Sequence, residues 1–65
     1  MSDIEGLGKR IRSARKAAQL TQQDLADLAG VSERTVRAIE TGTGNPALAA
    51  VAAVVNVLGL RLVAE

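Results

Sequence analysis

The strongest constraint on how this chain folds lies in three consecutive residues, Gly30, Val31 and Ser32. Gly30 follows a helical apolar run, Leu25, Leu28 and Ala29, and takes without steric penalty the left-handed conformation that stops a helix. Ser32 is a residue type that opens one, because its hydroxyl accepts a hydrogen bond from a free backbone N–H. One helix must therefore end and another begin within a single tight turn. Thr21, with Asp24 three residues later, resembles the cap of the first, with Leu25, Leu28 and Ala29 inward. The second is expected from Glu33 to Thr41, with Val36 and Ile39 at the core spacing and Gly42 and Gly44 in the loop that closes it.

Upstream, Ile4, Leu7, Ile11, Ala14 and Ala18 recur at spacings of three and four, which is one face of a helix, and Ser2 with Glu5 forms a candidate capping box. Gly6 and Gly8 are its weak point, each costing up to about 1 kcal/mol in a helix interior, so the first turn is expected to fray. Downstream, Asn45 and Pro46 suit the cap and first position of a fourth helix running to Leu58 before Gly59. Leu60, Arg61, Leu62 and Val63 are apolar and partly alternating, and read as a short strand that needs a partner for its backbone hydrogen bonds. The expected architecture is all-α, a single four-helix domain over 1–65, with helices in 1–59 and a C-terminal β-strand in 60–65.

A chain of 65 residues buries only about 60% of the surface its unfolded form exposes. With no Phe, Tyr or Trp, its core must come from Leu, Ile, Val and Ala. The absence of Cys and His removes disulfides, the usual zinc ligands and the commonest groups for nucleophilic or proton-transfer chemistry. An enzyme is therefore not expected, nor a metal or cofactor. No apolar run reaches the roughly eighteen residues of a membrane span, and Asp3 and Glu5 do not suit a signal peptide, so a cytoplasmic location is expected. The net charge is only +1, but Lys9, Arg10, Arg12, Arg15 and Lys16 form a basic cluster without an intervening acid. Apart from Arg15, these read as a solvated helix face.

A helix-turn-helix requires a small residue where its helices cross, a glycine in the turn, and apolar anchors that make the second helix protrude. In QQDLADLAGVSERTVRAIE, Ala26 is the small residue, Gly30 makes the turn, and Leu25, Val31, Val36 and Ile39 are the anchors. Glu33, Arg34, Arg37, Ala38 and Thr41 are left outside, where they would face a DNA major groove. Over RIRSARKAAQLTQQDLADLAGVSERTVRAIETG and NPALAAVAAVVNVLGL the chain resembles the lambda-repressor-like, Xre/Cro type of helix-turn-helix protein. Gln19 departs from the glycine that many members carry before the second helix.

That resemblance implies a DNA-binding transcriptional repressor whose third helix reads base edges through Glu33, Arg34, Arg37 and Ala38. Arginine is the favoured reader of guanine, and a bidentate contact contributes about 1–3 kcal/mol of discrimination. The alternative for Glu33 and Arg37, four apart, is a surface ion pair contributing about 0.2–0.5 kcal/mol. Gln22, at the start of the second helix, is by resemblance a phosphate clamp, or else a plain polar residue on an exposed turn. Relatives imply phosphate contacts for Ser32, Thr35 and Thr41, although Ser32 is also a cap and Thr35 a helix-surface residue. The resemblance also implies that Arg15 pairs with Glu40, fixing the recognition helix, while leaning toward a phosphate.

On the fourth helix Leu48, Val51, Val55 and Leu58 are assigned to packing within the chain. Ala47, Ala50, Val54 and Val57 form a second stripe, which a second copy would cover, giving a homodimer. The tail LGLRLVAE resembles HipB-type antitoxins, which implies intermolecular strand pairing through Leu60, Leu62 and Val63, autorepression at an operator with an inverted repeat, and a HipA-like kinase toxin as partner. The alternatives are a stand-alone phage or chromosomal repressor and a partner-binding module with minor DNA binding.

Overall fold

A computed structural model of the protein describes residues 3–59, with side chains from residue 6 onward. The described residues contain α1 (Asp3–Ala17), α2 (Gln22–Ala29), α3 (Glu33–Thr41) and α4 (Leu48–Val57). None of these helices is long and apolar enough to cross a membrane.

Local chemistry sets the ends of α2 and α3. Thr21 is extended, its hydroxyl accepts from the Asp24 N–H at 3.0 Å, and the Asp24 carboxylate accepts from the Thr21 N–H at 3.0 Å. Hydrogen bonding from Thr21, its backbone N–H first and its side-chain hydroxyl second, holds the Asp24 carboxyl below its ordinary pKa. A depressed carboxylate pKa means that this stabilisation is complete above about pH 4 and is lost as the pH falls through the lowered value. Gly30 at φ 72° ends α2, and the Val31 N–H closes back on the Ala26 carbonyl at 3.0 Å. Ser32 Oγ then accepts from the Thr35 N–H at 3.1 Å, and α3 closes in the same manner at Gly42, with the Thr43 N–H on the Ala38 carbonyl at 3.0 Å.

Every helix feeds one core. Ile11 from α1, Leu25 and Ala26 from α2, Val36 and Ile39 from α3, and Val54 and Val55 from α4 are buried, and Leu7, Ala29, Val31, Val51, Val57 and Leu58 pack around them. Burying each large aliphatic side chain stabilises by about 1.5–3 kcal/mol relative to leaving it in water. Gly8 lies on the buried face of α1, where an added Cβ would sit 2.5 Å from the Ile39 carbonyl oxygen and 2.8 Å from that of Glu40. The glycine expected to weaken the helix is therefore the point at which α1 rests on the last turn of α3.

Several expectations are corrected. Ala18 lies beyond α1 and is exposed. Leu28, assigned inward, is 62% exposed, because the eight-residue α2 turns Leu25, Ala26 and Ala29 toward its neighbours and Leu28 lies at their edge. Asn45 and Pro46 do not cap α4, which begins at Leu48 after Ala47 with no side-chain cap. Pro46 instead lines a groove with Leu7, Ile39, Leu48 and Val51, where its ring is half-buried. Leu48, assigned to packing, is 77% exposed, whereas Val54, assigned to a dimer surface, is fully buried in the chain's own core. Residues 47–55 are all apolar, so no polar position marks the outer face, and tertiary contact selects Val51, Val54, Val55 and Leu58. The Ser2–Glu5 box and the tail strand lie outside the described residues.

Gln19 has φ 61°, a left-handed conformation that costs an L-residue about 1–2 kcal/mol. Replacement Gln19→Gly is expected to raise stability by about 1 kcal/mol, read as an increase of about 4–8 °C in thermal midpoint. Alanine at the two helical glycines is expected to act in opposite directions. Nothing lies within 4 Å of a Cβ at Gly6, so Gly6→Ala should stabilise by about 0.5–1 kcal/mol. Gly8→Ala must separate α1 from α3 and should destabilise by about 1–3 kcal/mol. Equal effects in thermal unfolding would refute the close approach.

Candidate nucleic-acid interface

The site is built on one carboxylate. Glu40 Oε2 accepts from Arg15 Nε at 2.6 Å, and Oε1 accepts from Arg15 Nη2 at 3.1 Å and from Gln22 Nε2 at 3.2 Å. Arg15 Nη1 donates to the Leu20 carbonyl at 2.9 Å. Arg15 and Glu40 are only 8% and 7% exposed, so both ions are desolvated, and such a pair is tolerated only when its hydrogen-bonding groups are satisfied. Among the described residues no buried side-chain nitrogen or oxygen lacks a partner. One carboxylate thus ties α1, the α1–α2 turn, the start of α2 and the last turn of α3 together. Three of the five guanidinium N–H donors of Arg15 are thus used within this frame, where the residue is buried.

With Val36, Ile39 and Glu40 turned inward, the opposite face of α3 is presented outward. Arg34, Arg37 and Thr41 are exposed there, and Glu33 is half-exposed. Arg37 Nη2 and Glu33 Oε2 are 3.8 Å apart, an exposed contact of small energy in water. Ala38 is half-buried and lines the groove below the loop that follows α3, so its methyl lies at the margin of the outward face.

The hydroxyls are largely engaged within the chain. Ser32 Oγ caps α3 and lies 2.9 Å from Thr35 Oγ1. Thr41 Oγ1 donates to the Arg37 carbonyl at 2.9 Å and lies 2.8 Å from Thr43 Oγ1. Thr43, which sequence reasoning passed over, thus stands beside the end of the outward face, and its only signal is a hydroxyl directly after the helix-ending Gly42. Gln22 is half-buried with its amide on Glu40, a link that the spacing of Gln22 and Glu40 in sequence does not reveal. Thr21 and Asp24 satisfy the third N–H of α2, which leaves the N–H groups of Gln22 and Gln23 at a helix start without intrahelical acceptors.

A protruding helix with two exposed arginines, steadied from behind by a buried ion pair and flanked by a free helix N-terminus, is suited to lie against a phosphate-walled groove. Chain comparisons agree. A family model described as a helix-turn-helix matches residues 11–64. No curated protein is a match. Among solved structures, the restriction-modification controller protein C.AhdI from Aeromonas hydrophila is similar, with 30% sequence identity, a TM-score of 0.80, and 94% of this chain and 92% of that chain covered. The chain belongs to the Xre/Cro-type helix-turn-helix family and is a DNA-binding transcriptional regulator.

Proposed function

We propose that the protein is a dimeric repressor that occupies an operator with an inverted repeat in double-stranded DNA and blocks transcription without a chemical step. The observation that carries this reading is the outward placement of Arg34 and Arg37 on a helix whose inner face is fully engaged. Each arginine presents the planar donor fork that matches guanine O6 and N7, and Glu33 is an acceptor suited to cytosine N4. Ala38 completes the reading surface. Gln22, Ser32, Thr35 and Thr41 are assigned to the phosphates on either side, through backbone N–H groups and hydroxyls. Two such helices in a symmetric dimer enter successive major grooves about 34 Å apart.

The second copy is placed against α4. Outside the core this helix leaves Leu48, Ala49 and Ala52 exposed, and Val57, which packs against the core, keeps a half-exposed edge, an apolar surface for a chain of this size to leave in water. Val57 is retained as a proposed interface residue, together with Leu60, Leu62 and Val63 from the sequence, whereas Val54 is not. The likeness over nearly full length to a controller protein favours a stand-alone regulator. The antitoxin of a HipA-like kinase is the second reading, and it rests on residues 60–65 alone.

In vitro selection from random duplexes is expected to enrich an inverted repeat with half-sites one helical turn apart. Arg34→Ala and Arg37→Ala should each lower affinity for that operator by about 5–150-fold, while non-specific binding changes far less. Enrichment that survives the double substitution would remove these residues as readers. In light scattering, truncation after Gly59 is expected to convert the dimer to monomer, and an unchanged dimer would leave the tail without a role in assembly.

A further inference from the structure

We infer that the groove behind the recognition helix is the seat of residues 60–65 of a second copy, so that each tail of the dimer braces α3 of the other chain. The inference rests on the dimeric reading above and names what the tails touch. The groove encloses about 310 Å³ between the start of α1, the end of α3, the loop that follows it and the start of α4. Its walls are Leu7, Ile39, Pro46, Leu48 and Val51, with Ala38 at the margin of the outward face. Of these only Ile39 is buried, whereas Leu7, Ala38, Pro46 and Val51 are half-buried and Leu48 is exposed, so covering the groove removes apolar surface from water. The rim offers backbone partners as well. Among the described residues the N–H groups of Gly44, Asn45 and Ala47 donate to no backbone carbonyl, and an extended segment in the groove supplies acceptors beside them.

Reach and composition select the occupant. Leu60 and Leu62 alternate about Arg61 and Val63 follows, the pattern of a segment with one face to bury. The tail departs at Gly59, whose φ of 71° turns the chain off the helix, while the groove opens at the other end of α4, about 15 Å away. Within one chain the tail would have to double back along its whole helix, spending most of the roughly 20 Å that residues 60–65 span when fully extended. Two α4 helices packed antiparallel across a two-fold axis remove that cost. The end of one then lies beside the start of the other, and each tail begins at the mouth of the opposite groove. Leu48 joins the two surfaces, because it lines the groove and, with Ala52 one turn on, belongs to the exposed apolar side of α4. Ile39 and Ala38 form the α3 wall, so a seated tail presses on the recognition helix from behind Arg37. Pairing of the chains thus both brings two reading helices together and closes the space at the back of each.

The chain has no cysteine, so single cysteines report contacts without background. Full-length Leu48→Cys is mixed with an isotopically labelled Leu60→Cys, Leu62→Cys or Val63→Cys chain, left to exchange subunits, and oxidised. A disulfide forms only where the two Cα atoms come within about 7 Å. The expected product joins Leu48→Cys to at least one tail position, recognised by its mixed mass and in severalfold excess over either product of a single chain type. An excess of the tail-to-tail product would show that the tails pair with each other, and would overturn the inference. So would a monomeric, intrachain disulfide in a chain carrying both cysteines, which would seat the tail on its own groove. If light scattering finds the unsubstituted chain dimeric and no tail position links to Leu48→Cys, the groove has another occupant and only the dimer stands. An unsubstituted chain that stays monomeric at every concentration would defeat the dimeric reading itself, and this inference with it.

Discussion

Glu40 is the residue on which the geometry of the outward helix depends. Its carboxylate receives Arg15 from α1 and Gln22 from α2, and its backbone carbonyl lies against the glycine at position 8 of α1. Gly8 and Arg15 are two turns apart on one face of α1, so side chain and backbone of the same α3 residue are held by the same helix. Removing one member of such a pair would strand a buried charge at a cost of about 3–5 kcal/mol, a large share of the stability that a chain this short can have. Shape and charge act together here. The close approach at Gly8 sets the distance between α1 and α3, and the ion pair sets their rotation.

The aliphatic core alone would not give this definition. Leu25, Val36, Ile39, Val54 and Ile11 supply most of the favourable free energy, but with no aromatic ring they fill space without strong directional preference. Direction comes from polar groups at helix ends. The Thr21–Asp24 box, the Ser32 cap and the left-handed Gly30 and Gly42 fix where α2 and α3 begin and stop, and hence which residues of α3 face out. Moving the α3 start by one residue would rotate its faces by about 100° and bury Arg37 in place of Val36.

These local determinants are why the central part of the chain is legible from sequence. A cap is a statement about four residues, and Thr21, Gly30, Ser32 and Gly42 make it without help from the rest of the fold. The outward set on α3 follows, because Val36 and Ile39 mark the inner face against charged neighbours. The fourth helix lacks that contrast. Through residues 47–55 every side chain is apolar, so the choice between Val54 and Leu48 for the core belongs to tertiary packing, as does the ring of Pro46 in its groove instead of at a helix start. Gly8 is misread for a related reason. Its cost to α1 is local, whereas its benefit is a contact with residues about thirty positions away. The Gln22–Glu40 bond, likewise, exists only after α2 and α3 have docked.

Burial divides the arginines into two kinds. Arg15 is desolvated, bidentate and bonded to a carbonyl, so releasing it would leave Glu40 unpaired in the interior. Arg37 meets Glu33 at 3.8 Å in the open, where the contact contributes only about 0.2–0.5 kcal/mol and salt weakens it further. A bidentate contact to guanine is worth about 1–3 kcal/mol, several times more, so the exposed pair can open to meet DNA while the buried pair cannot. A pair this weak is no obstacle to the proposed base reading. Under the proposed base reading, it would keep the Arg37 side chain near the outward side of α3 until a stronger acceptor replaced Glu33, while the buried pair behind it would keep the helix from moving.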